Sequence, residues 1–209
     1  MKKATIVLCI SMLVITGIAF FLLPDKIPMH FNASGEIDRY GSSFEIFLFP
    51  ILALLITASS ILFKKIDPKR TNYDRFIKTF WMILFIINMI MFIILITVIS
   101  EALSPGTLNI NMIMITMMGI VFIVLGNAMP KIKANYFIGI RTPWTIANED
   151  VWYKTHRFAG KIWVVGGFLT FLGLLVSDEA MIFFIVGIAL IQALIPTIYS
   201  YVCFKNLEK

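Results

Sequence analysis

The chain has little charge and few of the residues that build catalytic or metal centres. Only 14% of its 209 residues are charged, whereas soluble domains have about 25%. Its two cysteines, Cys9 and Cys203, lie in apolar runs and have the spacing of neither a disulfide framework nor a metal site. The sequence also lacks an HExxH motif, a nucleophile elbow and a phosphate-binding loop. We therefore expect no enzyme, no cofactor and no bound metal.

Apolar residues, in contrast, are abundant. They make up 59% of the chain, and the mean hydropathy is +0.91. One aqueous core cannot hide so much apolar surface, so we expect the bilayer to be the solvent. A helix needs about 20 apolar residues to cross the hydrocarbon layer, and six runs come close to or reach this length. These runs are 4–23, 46–63, 80–100, 110–129, 162–177 and 180–204.

The basic residues of the connections predict the orientation. If the N-terminus lies inside, 16 of the 18 lysines and arginines fall on the inner side, and only Lys26 and Arg39 fall outside. Positive charge concentrates on the cytoplasmic side of membrane proteins. We therefore predict an all-α integral membrane protein with six transmembrane helices and with both termini in the cytoplasm. The excess of positive charge then indicates attraction to membrane lipids, and no direct binding of nucleic acid is expected.

Two connections are long enough to have structure of their own, and the first is the outer loop 24–45. Turn-forming residues cluster at 32–35 and at 40–42, so this loop is expected to be folded over the membrane surface. Its single histidine, His30, stands among carboxylates at no recognised metal spacing. We expect His30 to form a hydrogen bond with a carboxylate in preference to binding a metal ion.

The second long connection is the inner segment 130–161, here called the block, which is polar and rich in aromatic residues. Asn148 is typical of a helix N-cap, and Gly160 is typical of a helix end. Together they predict a short interfacial amphipathic helix before the fifth span. The stretch 135–145 is expected to be irregular, because a residue that precedes proline avoids the α region.

Arg141 lies in this irregular stretch at membrane depth, where an unpaired guanidinium is unfavourable. Its predicted internal partners are Glu149 and Asp150, and the alternative is that it binds another molecule. Asp150 also precedes Lys154 by four residues, which is the spacing of a helical ion pair. The residues alone leave two interpretations of the block open, an aromatic anchor at the membrane interface and a partner-binding surface.

The motifs of the block resemble those of the SdpI family of bacterial toxin-immunity membrane proteins. The resemblance is carried by NYFIGIRTPWT from Asn135, by VW from Val151 and by THRFAG from Thr155. It extends over nearly the whole chain, in the same order of spans. It divides the chain into an N-terminal module, 1–63, and an SdpI-like module, 64–209.

The outer loop is similar to the N-terminal module that is usually joined to this family. The matching residues are PMHFN from Pro28, then Gly35 and Asp38, and YGS from Tyr40. The chain departs from the family pattern in one place, because Ser43 stands where a lysine often follows the Tyr-Gly-Ser sequence.

The resemblance implies a multi-pass protein of the bacterial cell membrane that protects its cell from a secreted toxic peptide. It also implies a signalling role, because the family's founding member holds a cytoplasmic transcriptional repressor at the membrane. The outer loop is then expected to face the toxin and the block to face the repressor. The expected toxin-facing residues are His30, Phe31, Asn32, Asp38 and Tyr40. The expected partner-binding residues are Asn135, Arg141, Pro143, Trp144, Glu149, Trp152, His156 and Arg157.

Two other classes of function are weighed against immunity. A small-molecule or peptide transporter is the alternative, and it would be indicated by a charged residue within a span or by a water-filled cavity. The sequence shows neither feature clearly. A membrane enzyme would need acid–base residues at one depth, but His30 and His156 are predicted on opposite sides of the membrane.

Overall fold

The computed structural model describes residues 1–207, apart from the side chains of Asp178 and Glu179. Within this part of the chain, six helices are long and apolar enough to cross a membrane, which confirms the predicted number of spans. Lys209, one of the predicted inner cations, lies outside the described residues. In chain order the helices are α1 (Lys2–Phe20), α2 (Leu48–Ile66), α3 (Ile77–Leu103), α4 (Ile110–Ala128), the five-residue α5 (Pro143–Ala147), α6 (Glu149–Thr170) and α7 (Asp178–Lys205).

The outer loop is a two-stranded antiparallel hairpin, formed by β1 (Lys26–Phe31) and β2 (Ile37–Ser42). Asn32 shapes its turn, because the side-chain oxygen accepts hydrogen bonds from two backbone N–H groups of the turn, at 2.9 and 3.0 Å. Gly35 adopts a φ of 79°, which favours glycine. The predicted turn at 32–35 is therefore confirmed.

The second predicted turn, at 40–42, is wrong, because these residues belong to β2. Gly41 pairs with Ile27 across the hairpin. A Cβ atom at Gly41 would collide with the Glu45 carboxylate, which accepts a hydrogen bond from the Ser42 N–H at 3.0 Å. The Tyr-Gly-Ser sequence thus makes room for a helix cap after the strand and does not reverse the chain.

The hairpin is anchored in an apolar core shared with the first three long helices. Ile27 of β1 is fully buried with Met12 of α1, Ala53 of α2, and Leu95 and Val98 of α3. A second apolar core lies at the opposite end of α3, around Tyr73, Phe80 and Trp152. We call these two ends of the helix bundle the hairpin end and the block end. The predicted module boundary between 63 and 64 stays a prediction.

Glycines allow α4 and α6 to pack with their backbones in contact. Gly119 and Gly126 of α4 lie opposite Gly167 and Gly160 of α6, in antiparallel order. A Cβ atom on Gly160 would lie 2.7 Å from the carbonyl oxygen of Gly126. Small residues at such crossings let membrane helices approach closely where apolar burial supplies no driving force.

Of two sequence predictions about the ends of α6, the start is confirmed and the end is wrong. Asn148 is the N-cap of α6, as predicted, and its side-chain oxygen accepts hydrogen bonds from the N–H groups of Asp150 (2.8 Å) and Val151 (3.1 Å). The predicted helix end at Gly160 is wrong, because Gly160 lies inside α6 at the contact with α4. The predicted short interfacial helix is therefore the first half of the fifth span.

The orientation of the bundle is a testable prediction. Alkaline phosphatase folds only in the oxidising exterior, because it needs its disulfides. We expect a fusion at Pro105, at the hairpin end, to be active, and fusions at Lys69 and Glu149 to be inactive. The side of the membrane is read from phosphatase activity in colonies, normalised to the amount of fusion protein. An active fusion at Glu149 would contradict the predicted orientation.

Candidate functional site

The hairpin presents part of the predicted toxin-facing set to solvent. His30, Asp38 and Tyr40 are exposed, while Phe31 and Asn32 are half-buried. His30 Nδ1 lies 2.6 Å from a carboxylate oxygen of Asp38, which confirms the expected histidine–carboxylate hydrogen bond. Asn32 is committed to the turn, so its side chain supports the hairpin from within.

An apolar groove that sequence reasoning missed lies beneath the hairpin. It has a volume of about 410 Å³ and is bounded by β1, α3, α4 and α7. Its wall is rich in methionine, a flexible side chain that adapts to ligands of different shapes. The methionines are Met29, Met114, Met118 and Met181, and the polar residues at its edge are His30, Asn32 and Asn111. The four methionines come from three separate elements, β1, α4 and α7, so no local sequence pattern reveals the groove.

At the block end, a single buried carboxylate ties the block to the connection between α2 and α3. Asp67 is only 1% exposed. One of its oxygens accepts a hydrogen bond from the Lys69 N–H (2.7 Å), and the other accepts from the Tyr136 N–H (2.9 Å) and the Tyr73 hydroxyl (3.0 Å). Such a charge is stable when buried because its lone pairs are satisfied.

Asn135 organises the irregular stretch of the block from within. It is buried, and its side-chain oxygen accepts hydrogen bonds from the N–H groups of Phe137 (2.9 Å) and Ile138 (2.7 Å). Its amide nitrogen donates to the carbonyl oxygens of Lys133 and Ile138, both at 2.9 Å. The predicted place of Asn135 on a partner-facing surface is therefore corrected, since the side chain is used up inside the loop.

His156 and Trp152 are also turned inward, which corrects their predicted place on that surface. The two rings stack at 4.1 Å, and both are buried. His156 Nε2 accepts a hydrogen bond from the Ile140 N–H (3.0 Å), while Nδ1 lies 2.9 Å from the Trp152 carbonyl oxygen. Both bonds together require a neutral ring with its proton on Nδ1. Gly139, at a φ of 110°, passes so close to His156 that a Cβ atom would collide with Nε2.

Arg141 does not pair with Glu149 or Asp150, so its predicted internal partners are wrong. Its guanidinium donates to the Tyr136 carbonyl oxygen at 3.0 Å and is otherwise exposed. Glu149 instead pairs with Lys69, at 3.0 Å between Nζ and Oε1. The reason is the course of the loop, which folds Arg141 back on its own segment and brings Glu149 against the α2–α3 connection.

The expected irregular stretch ends earlier than predicted, because α5 begins at Pro143. Thr142 is extended and caps this helix, and its hydroxyl oxygen accepts a hydrogen bond from the Thr145 N–H at 3.2 Å. Proline suits the first helical position, where its missing N–H has no partner to lose. The Thr142 hydroxyl also lies 3.1 Å from that of Ser200, which fastens α5 to α7.

The outward-facing part of the block is therefore smaller than predicted. Arg141, Pro143, Glu149 and Arg157 are exposed. Trp144 is half-buried, with its ring 5.1 Å from that of Tyr201 on α7. Arg141 projects from the irregular loop, Pro143 and Trp144 project from α5, and Glu149 and Arg157 project from α6.

Comparison with known proteins shows what the chain is similar to. Residues 131–200 match the model of the SdpI/YfhL protein family, and residues 7–54 match a domain of unknown function, DUF1648. Over 214 aligned residues, the chain is 29% identical to the Immunity protein SdpI of Bacillus subtilis (strain 168), covering all of this chain and 99% of that protein. The family-model match and the full-length similarity together support a relationship to the SdpI/YfhL family. No solved structure matches the chain.

The SdpI/YfhL match and the hydrogen-bond network overlap only in part. The SdpI/YfhL segment contains Asn135, His156 and all five outward-facing residues of the block. Asp67 and Tyr73, which hold that segment in place, lie outside both matched segments. In the sequence, Asp67 and Tyr73 stand in a loop that is mainly basic, and the pattern of this loop does not distinguish Asp67 from Asp74.

Proposed function

We propose that this chain is an immunity protein of the bacterial cell membrane that protects its cell from a secreted toxic peptide. The observation that carries the proposal is the full-length similarity to a protein named Immunity protein SdpI. The six apolar helices support a multi-pass membrane protein. The folded hairpin and the folded block, at opposite ends of α3, offer one contact surface for each side of the membrane.

In this proposal the hairpin end faces the exterior, where the peptide arrives. The exposed His30, Asp38 and Tyr40 would contact it first. The groove beneath them combines a methionine-rich wall with a polar edge, so it suits a peptide with apolar side chains and a hydrogen-bonding backbone. The transporter alternative is less well supported. The buried Asp67 and Glu101 lie at helix ends and accept hydrogen bonds from loop backbone. His156 lies in the first half of α6, where its ring accepts a hydrogen bond from a loop N–H and, within the described part of the chain, bonds to no charged group.

At the other end, the outward-facing residues of the block are proposed to hold a cytoplasmic transcriptional repressor at the membrane. Arg141, an exposed arginine, and Trp144, a half-buried tryptophan, are residue types that protein interfaces favour. Because Asp67, Asn135 and His156 fix the loop beneath them, these residues are already ordered before a partner binds.

Expression in a sensitive strain tests the proposed function. Cells that carry this chain in their membrane are expected to survive secreted toxic peptides that kill cells with an unrelated six-span protein. The measurement is the lowest peptide concentration that kills, compared at equal membrane amounts of the two proteins. Unchanged killing by every peptide of this class would refute the proposal.

Replacement of the exposed hairpin pair should weaken protection without unfolding the chain. His30→Ala or Asp38→Ala is expected to lower the lethal peptide concentration by about tenfold, the typical loss from truncating one important contact. The hairpin should persist, because exposed ion pairs contribute little to stability. Ser34→Ala, an exposed change at the tip of the turn, is the matched control and should protect like the wild type. Wild-type protection by both variants would mean that the peptide binds at another site.

Replacement of the outward-facing residues of the block should weaken recruitment of the repressor. Arg141→Lys keeps the charge but loses the planar fork, and Trp144→Ala removes the ring that packs on Tyr201. We expect each to reduce the membrane-bound fraction of a fluorescently tagged repressor by about fivefold to tenfold in toxin-treated cells. Arg75→Lys, an exposed arginine at the same end, is the control. Equal recruitment by all variants would favour the interpretation of the block as an anchor alone.

A further inference from the structure

A cleft between α6 and α7 at the block end is lined by three cations. Lys154, Arg157 and Lys161 follow one face of α6 at spacings of three and four residues, and all three are exposed. The cleft has a volume of about 360 Å³. Phe158 and Tyr199 contribute to its wall, and their rings stack at 4.2 Å across the two helices.

No carboxylate of the described residues neutralises these cations. The ion pairs in this part of the chain involve other residues, and the predicted pair between Asp150 and Lys154 is not formed. The side chains that line the cleft are basic or aromatic, without an acid. Like charges on one helix face repel each other, so an anion from outside the chain would lower the energy of this surface.

The surroundings of the cleft indicate which kind of anion it would bind. One turn further along each helix towards the hairpin end, the surface becomes apolar and exposed, with Val165 on α6 and Ile195 on α7. In a six-span protein this apolar surface faces acyl chains. A ligand that fits both parts therefore has an anionic head and an apolar tail.

We propose that this cleft binds the phosphate-bearing headgroup of an anionic phospholipid in the leaflet at the block end. Arg157 presents a planar fork that matches phosphate oxygens, and the two lysines add point charges on either side along the helix. Basic pockets between membrane helices are suited to such headgroups. The acyl chains lie against Val165 and Ile195. This proposal does not rest on the proposed immunity function, although Arg157 also belongs to the outward-facing residues of the block.

Lipid retention by the purified full-length protein tests the proposal. The protein is transferred to mild detergent with phosphatidylglycerol or phosphatidylcholine, and bound lipid is counted by native mass spectrometry. The cleft variant carries Lys154→Gln, Arg157→Gln and Lys161→Gln. Each basic residue near an anionic headgroup contributes about fivefold in affinity, so we expect the apparent affinity of the triple variant for phosphatidylglycerol to fall roughly a hundredfold.

A matched control removes the same charges elsewhere at the same end. It carries Lys65→Gln, Arg70→Gln and Lys78→Gln, all exposed and outside the cleft, and it should retain phosphatidylglycerol like the wild type. Both variants should unfold at the wild-type temperature in phosphatidylcholine. If the triple cleft variant does not fold, the single variant Arg157→Gln replaces it, with an expected loss of about fivefold to tenfold.

Four outcomes would overturn the proposal. Equal loss in the control variant would indicate attraction by net charge alone. Equal retention of phosphatidylcholine would show that the headgroup charge is not recognised. Displacement of the lipid by glycerol phosphate at equal concentration would indicate a site for soluble phosphates. Displacement by a polyglutamate peptide at equal concentration would indicate a surface for an acidic protein.

Discussion

Gly160→Ala is expected to destabilise the folded protein by roughly 1–3 kcal/mol, and Gly160→Val is expected to prevent its accumulation in the membrane. The added Cβ atom would lie 2.7 Å from the Gly126 carbonyl oxygen and 3.0 Å from a ring carbon of Pro130. Neither neighbour is the end of a flexible side chain, so α4 and α6 must separate. Unfolding in detergent with increasing dodecyl sulfate measures the loss.

The control for this experiment is the same substitution in a span where space is free. A Cβ atom on Gly187, inside α7, meets nothing within 4 Å. Gly187→Ala should therefore leave stability unchanged or raise it by about 0.5–1 kcal/mol, because alanine is the better helix former. If Gly160→Ala and Gly187→Ala unfold alike, the backbone contact between α4 and α6 is refuted.

Asp67→Ala should cost roughly 3–5 kcal/mol, the typical loss when one partner of a buried charged network is removed. The substitution leaves the N–H groups of Lys69 and Tyr136 without their acceptor and leaves the Tyr73 hydroxyl with only the longer contact to Asn135 Oδ1, at 3.3 Å. We also expect the block to become sensitive to limited proteolysis, because its link to the α2–α3 connection is lost. Thermal unfolding in mild detergent and the cleavage pattern measure the two effects.

Asp74→Ala is the matched control, since Asp74 is an aspartate of the same connection. Its side chain is 79% exposed and lies 3.5 Å from Lys64 Nζ. Exposed pairs of this kind contribute about 1 kcal/mol or less. The loss of stability in Tyr73→Phe should lie between those of Asp67→Ala and Asp74→Ala. This substitution removes one of the bonds to Asp67 and leaves the two backbone donors satisfied. Equal effects of Asp67→Ala and Asp74→Ala would refute the structural role of Asp67.

The features that the sequence predicts well are those that depend on nearby residues. A long apolar run is enough to define a span, so five of the six long helices could be located to within a few residues, whereas the run 162–177 overlaps only the second half of α6. The cap at Asn148 was also predictable, because its partners are the next few backbone N–H groups. The bond between His30 and Asp38 is another such case, since the two lie on adjacent strands of one short loop.

The features that it does not predict depend on which distant segments meet. Gly160 has the chemistry of a helix end, but whether it ends a helix or packs on one depends on Gly126 in α4. Glu149 has an arginine nearby in the sequence, yet its partner is Lys69, 80 residues away. The groove beneath the hairpin and the hydrogen bonds of Asp67 are not predictable for the same reason, because the residues involved come together only in the folded chain.

The most direct test is one survival assay that distinguishes the role of the hairpin end from the role of the block end. Sensitive cells without the cytoplasmic repressor would express the wild type, a hairpin variant (Asp38→Ala with Tyr40→Ala) or a block variant (Arg141→Ala with Trp144→Ala), at equal membrane amounts. The account predicts that the wild type and the block variant protect equally, while the hairpin variant loses protection by about tenfold or more. Loss of protection in the block variant to the same extent as in the hairpin variant would contradict it.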